Sequence, residues 1–278
     1  MAVDKGLQKS LDRLGKTVAT RQEARVIQLP LWPEPKRGTP NSFIRSALFA
    51  AIQAKDRTFI KGELLASQNG VEVRFTGEQL NQEDLTLWET LAHMVRSHPL
   101  GETSSFTAHG LLKSMNLPTG GKEHARLHEG ITRLIACAVE IRVAGQGSYT
   151  GSLLEAARSD EEHRQYQVRF NRDMIKLFGE NHWTAIDWEK RLLLRGKPLA
   201  QALHAFYSSH RDPYPLKLET LRDVTGGRNA ELRDFKRKVK AALTELKTIG
   251  FLTDFEIVGD LVKVSRLKAI AASMKSKT

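Results

Sequence analysis

The chain has 278 residues, of which 40% are apolar and 27% charged, so it holds enough apolar material for two domains of ordinary size. No apolar run approaches the roughly 18 residues of a membrane span. The N-terminal residues include Asp4 and Asp12 and contain no apolar segment, so we expect no signal peptide. The single cysteine, Cys137, excludes an internal disulfide, so we expect a reducing cytoplasm and no membrane. The net charge of +11 favours a polyanionic partner, since neither a lipidation signal nor a basic helix with bulky apolar anchors indicates lipid instead.

The first forty residues predict a flexible N-terminal arm. Apolar residues recur at helical spacing over 1–24. The segment 29–40 then contains four prolines, each of which lacks an N–H and restricts the residue before it. We therefore expect residues 1–40 to end in an extended, proline-rich linker.

The first half of the remaining chain shows one ordered set of elements. The pattern predicts a helix over 83–97, a strand over 104–106, a helix over 107–115, a Thr-Gly-Gly break at 119–121, a helix over 122–138, a strand over 139–143 and a turn at 145–148. A helix–turn–helix followed by a β-hairpin is the winged-helix arrangement. This half is expected to occupy 41–178.

The second half repeats the order. The predicted elements are helices over 183–194 and 198–209, a strand over 215–218, a helix over 219–224, a Thr-Gly-Gly break at 225–227, a long helix over 229–249, and a hairpin over 251–266 that turns at Gly259-Asp260. The sequence thus predicts an α+β fold of two tandem winged-helix domains behind an N-terminal arm, the second domain occupying 179–278.

The long helix at 229–249 separates its charges. With about 100° of rotation per residue, one stripe is apolar: Leu232, Phe235, Val239, Ala242, Leu243 and Leu246. One flank is polar and cationic: Asn229, Arg233, Lys236, Arg237, Lys240 and Lys247. The acidic residues lie on the other flank: Glu231, Asp234 and Glu245. Solvated helices usually mix the two signs, so this pattern indicates DNA recognition, with a coincidentally polarised surface as the alternative.

The predicted DNA contacts follow from this geometry. Early residues of a recognition helix face base edges, where Arg grips guanine and Asn grips adenine, so Arg228 and Asn229 are the candidates there. Lys263 and Arg266 on the hairpin are expected to reach adjacent phosphates. The first-half helix offers a less clear cationic face that positions the backbone, with Glu129 among its cations and Arg142 on its wing; its cations are Lys122, Arg126 and Arg133.

Enzyme motifs are absent from the sequence. Gly121-Lys122 and Gly196-Lys197 lack the other residues of a phosphate-binding P-loop. The pair His124 and His128 has helical spacing, but Ala125 stands where a zinc protease needs its glutamate. One cysteine cannot make a Cys-rich zinc site. We therefore expect no catalytic residue, no metal and no cofactor.

Two segments carry a family resemblance. They are Tyr207-Ser-Ser-His-Arg-Asp-Pro-Tyr-Pro-Leu-Lys-Leu-Glu-Thr-Leu-Arg222 and Asn41-Ser-Phe-Ile-Arg-Ser-Ala-Leu-Phe49. Both resemble the TrfA family of plasmid replication initiators, and the similarity runs from about residue 27 to residue 266. It implies a non-catalytic protein that binds direct repeats (iterons) in double-stranded origin DNA, assists duplex opening, recruits host initiator and helicase-loading proteins, and balances monomer against dimer.

The resemblance also gives a meaning to Gln28-Leu-Pro-Leu-Trp32. This peptide is similar to the Gln-Leu-x-Leu-aromatic motif with which such initiators dock on the host sliding clamp, so Gln28, Leu29, Leu31 and Trp32 are the predicted clamp contacts. Two rivals remain: a winged-helix transcriptional repressor without a replication role, which needs no clamp peptide, and a nickase or other nuclease, which needs metal-dependent cleavage.

Overall fold

The computed structural model describes residues 27–68, 70–145, 147–160, 165–228 and 231–266. The helix predicted within 1–24 and the predicted base contact Asn229 therefore lie outside the described residues. The fold is mixed α/β and contains two hydrophobic cores, one built mainly from residues 29–178 and the other from residues 194–264.

Residues 27–40 pack on the first core, and the predicted linker is wrong for this stretch. Strand β1 (Lys36–Pro40) pairs antiparallel with β2 (Trp183–Asp187), where the sequence predicted the start of a helix. Leu29 and Trp32 are buried in the first core. Pro40, the proline within β1, permits this pairing because both strands of a two-stranded sheet are edge strands, where a missing N–H costs little.

The first half is built around the buried helix α1 (Gln82–Val95). Its N-terminus is fixed by a capping box: the Asn81 side chain accepts from the Glu83 and Asp84 amides, and Asp84 accepts from the Asn81 amide. The elements ahead of α1 are a short helix (Asn41–Ile44), a 3-10 turn (Ala54–Asp56) and strands β3 (Phe49–Ala50), β4 (Phe59–Leu65), β5 (Val71–Glu78) and β6 (Leu80–Asn81).

Two sheets complete this half. After α1 come β7 (Thr103–Thr107), α2 (Ala108–Ser114), α3 (Gly121–Ala136), β8 (Ala138–Val143), β9 (Gly147–Gly151), β10 (Ala156–Asp160), β11 (Gln165–Arg169) and a 3-10 helix (Arg172–Phe178). The three-stranded sheet has the order β7-β11-β10, and a four-stranded sheet has the order β4-β5-β8-β9. The hairpin β8–β9, which the sequence predicted as the wing, belongs to the four-stranded sheet, and the strand that pairs with β7 is β11.

The second half repeats the first in its topology. It contains α4 (Trp188–Leu193), α5 (Pro198–Ser208), β12 (Leu216–Lys217), α6 (Leu218–Val224), α7 (Leu232–Thr248), β13 (Asp254–Val258) and β14 (Leu261–Ser265). Its sheet has the order β12-β14-β13, in which the last strand lies between the other two, as in β7-β11-β10. Each half therefore presents a helix, a strand, a short helix, a long helix and a hairpin whose second strand also pairs with the first strand.

Buried polar contacts join the two halves. Arg191 of α4 and Glu89 of α1 are both fully buried, with Nε and Oε2 2.7 Å apart. The turn before α7 also meets the first half, since the Ala51 amide donates to the Thr225 carbonyl oxygen at 2.7 Å. At Gly226, where φ is +63°, a Cβ would lie 2.7 Å from the Cβ of Ala50, so this position requires glycine for both its backbone and its packing.

Two further findings concern the expectations from composition. The Cys137 thiol is free and buried, and burial raises its pKa to about 11. Among the described residues, none of the helices has both the length and the apolar composition needed to cross a membrane.

Candidate nucleic-acid interface

Helix α7 presents the side chains of its predicted apolar stripe to the second core. Phe235, Val239, Ala242, Leu243 and Leu246 are buried there. The stripe and the helix are confirmed, apart from Leu232, which is half-buried at the first position. This packing fixes the rotation of α7, so the cationic flank must face away from the core.

Three cations of that flank form an exposed set, which we call the open ridge: Arg233, Arg237 and Lys240. All three side chains are exposed. Arg237 approaches one carboxylate, that of Asp234, at 4.0 Å between two mostly exposed groups. Arg233 and Lys240 make no ion pair or side-chain hydrogen bond within the part of the chain that the structure describes. A contact between such exposed groups is worth little, so the open ridge keeps its positive charge.

Two other cations of the flank contact the hairpin β13–β14. Lys236 Nζ donates to the Gly259 carbonyl oxygen at 2.6 Å, at the turn of the hairpin. Lys247 pairs with Asp254 at 2.8 Å, near the start of β13. Lys263 lies exposed on β14, with Glu256 as its cross-strand partner. The hairpin turn and the open ridge are therefore neighbours.

Two predicted DNA contacts make hydrogen bonds to other parts of the protein. Arg228 donates to the Asp56 carbonyl oxygen at 2.6 Å and also bonds Thr58 Oγ1 and Gln79 Oε1, all in the first half. In this conformation the exposed Arg228 side chain thus ties the two halves together, and its predicted base contact would require it to leave these acceptors.

Arg266, predicted to reach phosphates, is likewise engaged. It donates to the carbonyl oxygens of Tyr207 and His210, the latter at 3.1 Å, and its guanidinium lies 4.6 Å from the centre of the Phe251 ring. Burial lowers its pKa. These bonds hold the end of β14 against α5 and engage Nη1 of the guanidinium.

The first-half helix α3 keeps part of its predicted face. Lys122 and Arg126 are exposed, and Arg126 lies 3.6 Å from Glu123, a contact screened by solvent. Arg133 instead donates to buried Asp84 through two nitrogens, at 2.9 and 3.1 Å. The predicted DNA face of α3 is therefore corrected to its first two turns.

Arg142 is also placed differently from the prediction. It lies on β8 in the four-stranded sheet and pairs with Glu140 at 2.5 Å. It is thus not on the hairpin that matches β13–β14.

The predicted clamp peptide lies against α1. Trp32 is 3% exposed; its Nε1 donates to Nδ1 of His93 at 2.9 Å, and its ring stacks on that of Phe178. Gln28 Nε2 donates to the Arg96 carbonyl oxygen at 2.8 Å. Leu29 is buried, whereas Leu31 is 69% exposed. Of the four predicted contacts, this conformation leaves the side chain of Leu31 accessible.

The neighbours of Trp32 form a small polar network. His93 Nε2 lies 2.9 Å from Glu34, which also pairs with Arg96 at 2.5 Å. Hydrogen bonds from both partners lower the pKa of Glu34, and burial lowers the pKa of His93, which favours the neutral ring that accepts from Trp32.

Sequence reasoning missed two side chains beside the open ridge. Val258 and Leu261, on either side of the hairpin turn, are 62% and 47% exposed. Strand alternation would have found them, because Val262 and Val264 face the core and Leu261 must then face outward. Among the described residues no group of three or more His, Cys, Asp or Glu side chains has the geometry of a metal site.

Comparisons with known proteins agree on the family. The model of the TrfA protein family matches residues 3–266. The plasmid replication initiator protein TrfA of Escherichia coli is 30% identical over 259 residues, which cover 89% of this chain and 67% of that protein. A crystal structure of domains 2 and 3 of RctB has a similar fold, with a TM-score of 0.55 and 12% identity over 82% of this chain and 98% of that one. The resemblance of residues 41–49 and 207–222 is confirmed, and the chain belongs to the TrfA family of plasmid replication initiators.

Proposed function

We propose that this chain initiates plasmid replication by binding direct repeats in double-stranded origin DNA through two winged helices, mainly the second. The observation that carries the proposal is the open ridge on α7, which is exposed and almost free of carboxylate partners. Family membership supplies the replication role, and the ridge supplies a surface for the duplex.

The shared topology supports two winged helices. In both halves a short helix and a long helix follow the first strand, and the last strand inserts between the other two. In such domains the second helix of the pair enters the major groove. The cations of the open ridge would then meet phosphates and base edges, while Lys122 and Arg126 of α3 would contact backbone only.

The experiment compares two double variants that each remove two positive charges. Arg233→Ala with Lys240→Ala removes unpartnered cations of the open ridge, and Lys55→Ala with Lys61→Ala removes exposed cations of the first half. Each phosphate contact contributes about 0.9 to the slope of log affinity against log salt. The ridge variant should therefore lose about two from the slope.

The variant of the first half is the control for a general loss of positive charge. Lys55→Ala with Lys61→Ala should keep the wild-type slope and footprint on the origin region of the chain's own plasmid. Equal slopes for the two variants would contradict the placement of the DNA face, since a general loss of charge would then explain both.

We also propose that the segment Gln28–Trp32 docks on the host sliding clamp. Leu29 and Trp32 are buried, so docking would require this segment to leave α1. Leu31 allows a clean test because its exposed side chain contributes little to the fold. Leu31→Ala should weaken capture by purified clamp and reduce plasmid maintenance, whereas Leu193→Ala, at another exposed leucine, should change neither.

The two rival functions predict other results. A transcriptional repressor would keep plasmid maintenance and clamp capture unchanged in Leu31→Ala while binding the same DNA. A nuclease would cut supercoiled origin DNA when Mg²⁺ or Mn²⁺ is added to the purified protein, and we expect the plasmid to remain uncut.

A further inference from the structure

The turn of the hairpin β13–β14 presents two aliphatic side chains to solvent. Val258 and Leu261 are cross-strand partners in the antiparallel register, so they lie side by side on one face. They are 62% and 47% exposed. A pair of adjacent exposed aliphatic groups at a hairpin tip contributes little to folding, since neither is buried in the second core.

Strand alternation explains why both point outward. Val262 and Val264 are buried on the inner face of β14, and their neighbours along the strand must face the other way. The turn itself is set by Gly259, whose φ of +56° is the left-handed conformation that a two-residue hairpin turn requires. Polar residues at 258 and 261 would therefore serve the hairpin equally well.

The tip lies beside the open ridge. The bond from Lys236 Nζ to the Gly259 carbonyl oxygen, 2.6 Å long, connects the cationic flank of α7 directly to the turn. A duplex bound along the ridge must therefore pass within reach of Val258 and Leu261.

The charges around the pair balance. Lys217 is the partner of Leu261 on the other side, and Lys263 follows on the same face of β14; Glu256 and Asp260 oppose these two cations. Lys236, bonded at the turn, is then the cation left unbalanced, so the tip attracts phosphates less than the open ridge with its three cations. The apolar pair is then the feature that it offers to DNA.

We propose that Val258 and Leu261 form an apolar wedge that enters the minor groove next to the site held by the ridge and partly unstacks a base step. Apolar side chains inserted between base steps kink the duplex and offset the cost of unstacking with added contact. The inference rests on the proposed binding of duplex DNA by α7 and adds the group that would begin to distort the duplex.

The test uses Val258→Thr with Leu261→Thr in the full chain. Threonine is β-branched, as strands favour, so it suits both positions while it removes most of the apolar surface. Leu64→Thr is the matched control, because Leu64 is a 62% exposed aliphatic residue on strand β4, far from α7 in sequence. The probes are duplexes that cover the footprinted origin site, with 2-aminopurine placed at successive positions.

The wedge predicts a specific separation of effects. The wild type and Leu64→Thr should raise 2-aminopurine fluorescence at one or two adjacent base steps. In a circular-permutation gel, their complexes should migrate most slowly when the binding site lies at the centre of the DNA fragment, as bent DNA does. The double threonine variant should lose both signals and keep the wild-type salt slope, because the open ridge is unchanged.

The outcomes distinguish the wedge from the proposed function. If the wild type shows no salt-dependent binding to these duplexes, the assignment of α7 to DNA fails. If the wild type binds with the expected slope but no step becomes unstacked, or if the double variant unstacks it equally well, the wedge is wrong and the ridge stands.

Discussion

The fully buried ion pair between Glu89 and Arg191 should be the most sensitive polar contact of this fold. Glu89 Oε2 lies 2.7 Å from Arg191 Nε, and Glu89 Oε1 accepts from Thr39 at 2.7 Å. Arg191 also donates to the Gln82 carbonyl oxygen at 3.0 Å. Burial raises the pKa of Glu89 and lowers that of Arg191, and the attraction between the two opposes both shifts. Each charge is therefore tolerated in the interior because of the other.

Removing one partner leaves the other charge buried without compensation. Arg191→Met should lower the free energy of unfolding by about 3–5 kcal/mol, the usual cost of breaking such a pair. Glu89→Leu combined with Arg191→Met should recover most of that loss, because two apolar side chains of similar size need no compensating charge. The remaining deficit should be about 1 kcal/mol for each hydrogen bond lost at Thr39 and Gln82.

Urea denaturation at neutral pH measures these differences. The matched control is Lys176→Met, which breaks an exposed 3.2 Å pair with Asp173 and should cost about 1 kcal/mol or less. The reasoning is refuted if Arg191→Met costs no more than this control, or if the double variant is less stable than Arg191→Met. The salt slope of DNA binding should stay at the wild-type value, because the open ridge lies on α7.

Three further predictions follow from single positions. Burial lowers the pKa of His204 to about 3, whereas its value in the unfolded chain is near 6.5. Unfolding therefore takes up a proton below pH 6.5, and the free energy of unfolding should fall by about 2 kcal/mol between pH 6.5 and 5. His204→Leu should remove this loss in urea titrations at both pH values. In Gly38→Ala the new Cβ would lie 2.3 Å from the Trp32 ring, so tryptophan emission should shift to the red and capture by the clamp should increase if docking requires release of Trp32. Gly226→Ala should destabilise the protein by about 1–3 kcal/mol more than Gly250→Ala, because both have positive φ but a Cβ at Gly250 meets no atom within 4 Å.

Local pattern was sufficient for much of the second half. Helix α7 occupies Leu232–Thr248, inside the predicted range 229–249, and the hairpin β13–β14 turns where Gly259-Asp260 predicted it. Apolar spacing fixes which side of such a helix is buried, and so the direction of the opposite flank, without knowledge of its neighbours.

The strand at 183–187 shows where local pattern failed. Its residues were predicted as the start of a helix, and they form β2 because β1 supplies hydrogen-bond partners from residues 36–40. A pairing over nearly 150 residues leaves no trace in the local sequence, and tertiary contact overrides weak helix propensity. The first-half hairpin that matches β13–β14 was predicted at other residues for the same reason, since only the register shows that β11 pairs with β7.

The sequence by itself determined the family, the order of the elements from α5 to β14 and the side of α7 that carries positive charge, because each depends on residues close together in the chain. The tertiary structure alone decided which cations remain free. Arg228 bonds Thr58, 170 residues away, whereas Arg233 and Lys240 meet no partner among the described residues. The charge of a side chain belongs to its sequence, but its availability depends on which acceptors the fold brings within about 3 Å of it.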